Sequence, residues 1–582
     1  MPMIQPRKSK NSKSRNLMFK QLRRTLFLLL GVILVITGCS SIPRNGPVQA
    51  IQVDGGTSGT GAYFSPSGPK LDASPREIIE GFIEAGIGPQ DDYKIAREFL
   101  NPKQVGIWKG AVQTLVYDSR PSVISGSKEN TYTIQLEVVA EIDGYGVMTE
   151  LPAHSTRAID MNLEKVDGQW RISKLPDGTM IDRDSFNGLF GAQPIYFYDA
   201  SFQYAVPDIR WFPKRAGLPA AMVEALLKGP APYLENAVVS AFPSGSSLVR
   251  AAVPVEGTQA TVDLNSATFI DATELSRQQM QQQLDLTLKD TNSIRTVVMS
   301  DEQREVKIGA ADPQFKIALK NAAVPETQIA ILDRTLSFVK GKSINRVEIN
   351  DISGYDPRYP AMSPLGNRFA FLDGASKRLF TVDESGRSRV VASGTSLVRP
   401  SIDASGWTWT VDNGAKTRIL AVPEDTVLNG KVRPIAADWL DGTKVSSIRI
   451  SRDGTRALIV SARAGVTSVS VSGVLRDSDG TPRGFAPPMY LYPSVPTTSA
   501  VWDSDSSVIV SASDATASVT AERINFAGKP EKFQPLLGMI GLSAGPGDRR
   551  PVFAETKDQL FTRVGNSWHP MDELAHDLSY PG

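Results

Sequence analysis

Side chains able to act as nucleophiles, bases or metal ligands are few in this chain. Cys39 is the only cysteine in 582 residues, and the three histidines, His154, His569 and His576, are too scattered to mark a metal cluster. Hydrolase chemistry needs a nucleophile beside a base. Neither His-Glu-x-x-His nor a Gly-rich phosphate loop is present. Asp91-Asp92 and Asp199 could form an acid pair or a cation site, but helix capping and solvated loops account for them more simply. Asp403, Asp453 and Asp505 fall in turn strings, where an aspartate side chain caps backbone groups. Trp407, Trp409, Trp439, Trp502 and Trp568 read as core residues of β structure. Trp211-Phe212-Pro213 is an aromatic string that, if exposed, would suit a partner. No catalytic, cofactor-binding or metal-binding residue is assigned, and the chain is expected not to be an enzyme.

The chemistry left is that of Cys39 itself. Eight Lys/Arg and no acid occupy residues 1–24, and the apolar run Leu26–Ile36 follows, ahead of Thr37-Gly38-Cys39-Ser40. That run is far short of the ~20 apolar residues a membrane-spanning helix needs. A basic region, a short apolar region and small residues before the cut are the requirements of a secretory signal peptide. Ending it on Gly-Cys resembles the bacterial lipobox. The resemblance implies that residues 1–38 are removed and that Cys39 carries an S-diacylglycerol and an N-palmitoyl group. The protein is then expected on the extracytoplasmic face of the cell membrane, held by lipid.

Export changes the charge. The full chain has 63 Lys+Arg against 62 Asp+Glu, and loss of the leader removes eight bases and no acids, leaving a net charge of −7. A mildly acidic surface argues against nucleic acid as a partner, which wants a basic patch. With its one cysteine acylated, the mature chain has no disulfide and no Cys-based metal site.

Residues 39–72 read as a flexible tether, with the small polar string Asp54–Gly61 and Pro43, Pro47, Pro66 and Pro69. Such a segment buries too little apolar surface to offset its ordering entropy, and about 30 residues of it span on the order of 30 Å. A first domain, 73–192, opens at Ser74-Pro75-Arg76-Glu77, a capping box with Pro at the first helical position. Ile78, Ile79, Phe82 and Ile83 follow at helical spacing. A second helix is expected over Tyr93–Leu100, stopped by Asn101-Pro102. Strands are expected at Thr114–Tyr117, Tyr132–Ile142, Ser155–Lys165 and Trp170–Lys174, the last two joined by an Asp167-Gly168 hairpin turn. Helices followed by an antiparallel sheet suggest an α+β cone.

A second domain, 193–311, has strands at Ile195–Tyr198 and Asp208–Pro213, a helix Pro219–Lys228 stopped by Gly229-Pro230, and strand-like Val238–Phe242. A strand pair around Ala251–Val255 and Gln259–Leu264, a Gln-rich helix Thr273–Lys289 and a strand Ile294–Met299 complete it. With Leu227-Lys228-Gly229-Pro230, Ala241-Phe242-Pro243, Val262-Asp263-Leu264 and Gln283–Thr287, this order resembles the α+β GerMN domain of bacterial envelope and sporulation proteins.

From 325 to 582 helical periodicity gives way to short β-rich runs between turns. A turn-then-strand unit recurs at Ser363–Gly366, Asp403–Gly406, Ser451–Gly454, Asp503–Ser506 and Gly545–Asp548, at spacings of 40, 48, 52 and 42 residues. Repeats of this length are propeller blades, and about 255 residues at ~42–50 each make five or six.

Cys39 after Thr37-Gly38, Ser41-Ile42-Pro43 behind it, Leu227–Pro230, and the Arg399-Pro400-Ser401 and Ser451–Gly454 strings occur in the order lipobox, tether, cone, GerMN, propeller. In that order they resemble the LpqB family of actinobacterial lipoproteins. The resemblance implies a partner: the extracytoplasmic domain of a sensor kinase of the MtrB type, in the MtrA–MtrB two-component system. Through it the protein would act on envelope homeostasis and division. The alternatives are a binder of cell-wall glycan or of a small molecule, a propeller hydrolase, or an envelope assembly scaffold. The three domains are expected to form a projecting rod.

Overall fold

The computed structural model describes residues 66–582, apart from 89–91, 153, 215–216, 290, 292, 324, 424–430, 546–550 and 573–574. Cys39, the leader, most of the tether and Asp91 lie outside the described residues.

Helix Pro75–Ala85 starts as its capping chemistry dictates: Ser74 Oγ accepts from the Glu77 amide, and Glu77 Oε2 accepts from the Ser74 amide at 2.8 Å. Its apolar face buries Ile78, Ile79, Phe82 and Ile83, with the Phe82 ring edge-on to Trp108 at 5.4 Å. The helix packs on a sheet ordered Gln169–Lys174, Thr156–Val166, Thr131–Asp143, Gln113–Tyr117, Thr179–Asp182. Only the last pair is parallel. Bulges at Val116/Tyr117 and Asn162/Leu163 bend the strands. The Asp167-Gly168 turn has φ of 51° and 79°, the two left-handed residues a tight hairpin requires.

The expected helix Tyr93–Leu100 shrinks to Lys94–Arg97, because Tyr93 stands at φ 58° outside it. Asn101-Pro102 begins a helix, Pro102–Val105, with Asn101 Oδ1 accepting from the Gln104 amide at 2.8 Å. An Asn cap before Pro is as much a start as a stop.

In the second domain, Phe190–Tyr198 and Ala205–Pro213 form a nine-pair hairpin. Helices Leu218–Lys228 and Glu274–Leu288 pack with it and with a sheet of Val255–Glu256, Gln259–Leu264, Thr296–Asp301 and Arg304–Glu305. The expected strand Val238–Phe242 is only a bridge between Val239 and Tyr198. Gln283 of the long helix is fully buried: its Nε2 donates to Tyr196 O and its Oε1 accepts from the Ala241 amide, both at 2.8 Å.

Among the described residues the propeller has six blades. Its innermost strands, Arg358–Met362, Ser401–Ile402, Lys444–Ile450, Ser499–Ser504, Gly541–Ala544 and His576–Ser579, touch one another in a closed ring. His576–Ser579 pairs with Gln328–Leu332, so the two ends of the domain build the first blade together. Four of the recurring turns join an innermost strand to the next strand out, and the fifth, Gly545–Asp548, lies mostly outside the described residues, between the paired strands Gly541–Ala544 and Val552–Glu555. The first blade takes those two strands from opposite ends of the domain, so no hairpin joins them. Six blades therefore carry five copies of the turn. Gly366, Gly406 and Gly454 have φ of 75°, 82° and 77°, as these corners demand.

The domains pack as one unit, not as a rod. A single apolar core runs from Leu226, Tyr233 and Val238 of the second domain into Val469, Val471 and Trp502 of the propeller. Gly473 permits this approach: a Cβ there would stand 2.5 Å from Ala237 Cβ and 2.9 Å from the Tyr233 carbonyl.

Candidate functional site

The aspartates of the turns act on their own backbone. Asp403 Oδ1 accepts from the amides of Ser405 and Trp407, while Oδ2 accepts from Trp409 Nε1 and Arg476. Asp453 accepts from Ser451 Oγ, the Thr455 amide and Arg456 Nη2. Burial opposes ionisation of Asp453, but Arg456 and the hydroxyls hold its carboxyl below the usual range. The Asp505 carbonyl accepts from Arg456 Nη1. Asp199 receives the amides of Ser201, Gln203 and Tyr204, and Asp92 pairs with Arg97.

The histidines stay apart. His154 meets Glu137 at 2.8 Å on the surface of the first domain. His576 meets Glu555 at 3.3 Å in the propeller, a bond that raises its pKa. His569 lies exposed on Ser567–Pro570. Among the described residues no group of three or more His, Cys, Asp or Glu is placed to hold a metal, and no helix is long and apolar enough to cross a membrane. Trp407, Trp409 and Trp502 are buried propeller core, with Trp439 and Trp568 packed against it.

Trp211-Phe212-Pro213 is not an exposed stripe. Phe212 is buried, and the half-buried Trp211 lies 5.1 Å from the Phe186 ring. It forms part of the wall of a cleft of about 1590 Å³ at the junction of all three domains. The first domain contributes Met148, Glu150, Leu151, Arg183 and Phe186, the hairpin Phe190 and Trp211, and the propeller Tyr490, Tyr492, Pro493 and Glu522. Strand Met148–Glu150 touches Met489–Leu491, which fixes the two walls.

Burial and the charge of Glu522 raise the Glu150 carboxyl above its ordinary range, with Arg183 opposing. Glu522 accepts from the amide and hydroxyl of Ser494 at 2.7 and 2.8 Å. Trp211 Nε1 is buried with no hydrogen-bond partner among the described residues. Aromatic and proline surfaces flanked by a few polar groups suit an extended peptide or a sugar. No local motif announces this cleft, since its walls come from segments some three hundred residues apart. The aromatic Trp211 string was the one signal pointing to it.

These features define a multidomain, propeller-bearing protein with an interdomain cleft. A family model described as lipoprotein LpqB beta-propeller domain matches residues 335–581, one described as lipoprotein LpqB, N-terminal domain matches 68–187, and one described as sporulation and spore germination matches 194–307. The lipoprotein LpqB of Streptomyces avermitilis is 23% identical over 631 residues, covering 97% of this chain and 98% of that one. The lipoprotein LpqB of Bifidobacterium longum is 28% identical over 471 residues, covering 78% of each. The chain belongs to the LpqB lipoprotein family. Among solved structures, TolB from Acinetobacter baumannii aligns at 14% identity over 44% of this chain and 65% of its own, with a TM-score of 0.32, too low to bear on function.

Proposed function

We propose that this protein is an extracytoplasmic lipoprotein, held on the cell membrane through acylated Cys39, that receives part of an MtrB-like sensor kinase and biases its output. The observation that supports this most is the cleft, whose walls come from all three domains. A segment seated there would contact every domain at once. Acylation would confine both proteins to one surface and raise the effective concentration of a weak contact. To regulate, the lipoprotein must bind one kinase state better than the other.

The same cleft favours a second reading. Its aromatic rings and two glutamates would also suit a cell-wall glycan or a small molecule. A photoreactive residue placed at Tyr492 in intact cells separates the two. A sensor kinase as the main crosslinked product is expected, whereas capture of glycan with no kinase would replace the first reading by the second.

A further inference from the structure

Three buried aspartates of the propeller each meet an arginine. Asp403 meets Arg476 at 2.5 Å, Asp453 meets Arg456 at 2.7 Å, and Asp503 meets Arg523 at 3.1 Å. Arg449 stands apart from these pairs. It lies on Lys444–Ile450, an innermost strand of the ring, and is 4% exposed. Its carbonyl accepts from Trp502 Nε1 of the next blade at 3.1 Å, and its Nη1 reaches back to the Pro400 carbonyl of the preceding blade at 2.7 Å. Among the described residues no carboxylate pairs with it.

Its surroundings make this more costly. Burial, with the positive charge of Arg399 added, pushes the Arg449 guanidinium down to about 9. Arg399 stands over the Tyr359 ring and reaches Asp577 Oδ1 at 3.3 Å, and its own Nε is buried without a partner. Arg452, three residues beyond Arg449, donates to the carbonyls of Trp502, Ala544 and Pro581. Asp577 is engaged with Arg399 and the Tyr359 amide, and Glu555 with the Asp577 amide and His576.

A buried charge is tolerated when a counter-charge and hydrogen bonds meet it. The guanidinium fork fits a planar or tetrahedral oxyanion with two parallel N–H donors. We propose that Arg449, with Arg399 beside it, forms a receptor for one small oxyanion of the phosphate class at the axis of the propeller. The site is separate from the interdomain cleft and does not depend on the kinase reading.

The test uses the full-length lipoprotein in neutral detergent, with ionic strength held constant by chloride. Equilibrium dialysis with labelled inorganic phosphate should find saturable binding of one phosphate per chain. Glycerol phosphate as a second probe distinguishes a free ion from a phosphate carried on a larger molecule: binding of inorganic phosphate alone assigns the free ion, and binding of both admits the carried group. Phosphate should raise the melting midpoint of the wild type. Arg449→Met should weaken phosphate binding roughly tenfold or more, with a midpoint in chloride no lower than wild type, since an uncompensated charge has gone. Equal phosphate binding by both proteins, or a variant that melts earlier in chloride yet keeps its phosphate response, would make Arg449 a structural tie and overturn the proposal. Absence of saturable binding to the wild type overturns it whatever the variant does.

Discussion

Arg210 and Asp208, two residues apart on one strand, form an ion pair with both side chains wholly buried and Nη2 2.5 Å from Oδ2. Alternation along a strand puts positions i and i+2 on the same face, so the pair is local. Its remaining bonds are not. Arg210 Nη1 donates to the Tyr145 carbonyl of the first domain at 2.7 Å, and Asp208 Oδ2 accepts from the Ala231 amide at 2.8 Å. One ion pair thus fastens the first domain, the hairpin and the segment behind Gly229-Pro230.

Removing one partner strands the other. Arg210→Ala should lower unfolding stability by about 3–5 kcal/mol, because Asp208 is left as an unpaired buried charge. Replacing both by apolar residues of similar volume should cost much less. Denaturant unfolding of the two variants checks this, and equal losses would contradict it.

Gly473 sets how closely the second domain approaches the propeller. Gly473→Ala should push its strand away from Tyr233 and Ala237, at a cost of roughly 1–3 kcal/mol for overpacking. Faster proteolysis between the second domain and the propeller, with each part still folded, is the expected signature. An unchanged digestion pattern would show that the contact yields without strain.

The ring closes through its last strand. A chain ending at Ala575 loses His576–Ser579, and with it the inner strand of the first blade. Its propeller should expose the edge of Gln328–Leu332 and self-associate, as unpaired edges do. Sizing of the truncated protein tests this, and a monomer of wild-type stability would count against closure by this strand.

Glu150 gives the cleft a pH dependence of known sign. Its carboxyl is raised in the folded protein, by burial first and then by Glu522. Between its unfolded and folded pKa values the native state binds the extra proton, so stability falls as pH rises through that window. Glu150→Gln should raise the melting midpoint near neutral pH and leave it unchanged well below the carboxylate range. An identical pH profile in the two proteins would refute the assignment.

For the proposed anchor, Cys39→Ala should abolish acylation and release the protein from membranes while the melting behaviour of the folded body stays as in the wild type. Fractionation and mass measurement of the N-terminus check both. Normal envelope function from the released form would count against a role for the anchor.

Much of the fold was legible because its signals are local. The Ser74–Glu77 capping box, the Asp167-Gly168 turn and the Gly366, Gly406 and Gly454 corners each depend on backbone groups a few residues away, so composition alone points to them. Where a local signal had two meanings, as at Asn101-Pro102, reading it as a stop missed the helix it starts.

By itself the sequence determined the repeating turns and the α+β units ahead of them. Tertiary structure decided the sixth blade, the packing of the domains into one unit, the cleft and the burial of Arg449 on the innermost ring. The sixth blade carries no copy of the recurring turn because its two inner strands come from the two ends of the domain. The cleft and the axial arginine depend on which strands become neighbours after closure. That is set by long-range packing, such as the approach of Gly473 to Tyr233, which no window along the chain contains.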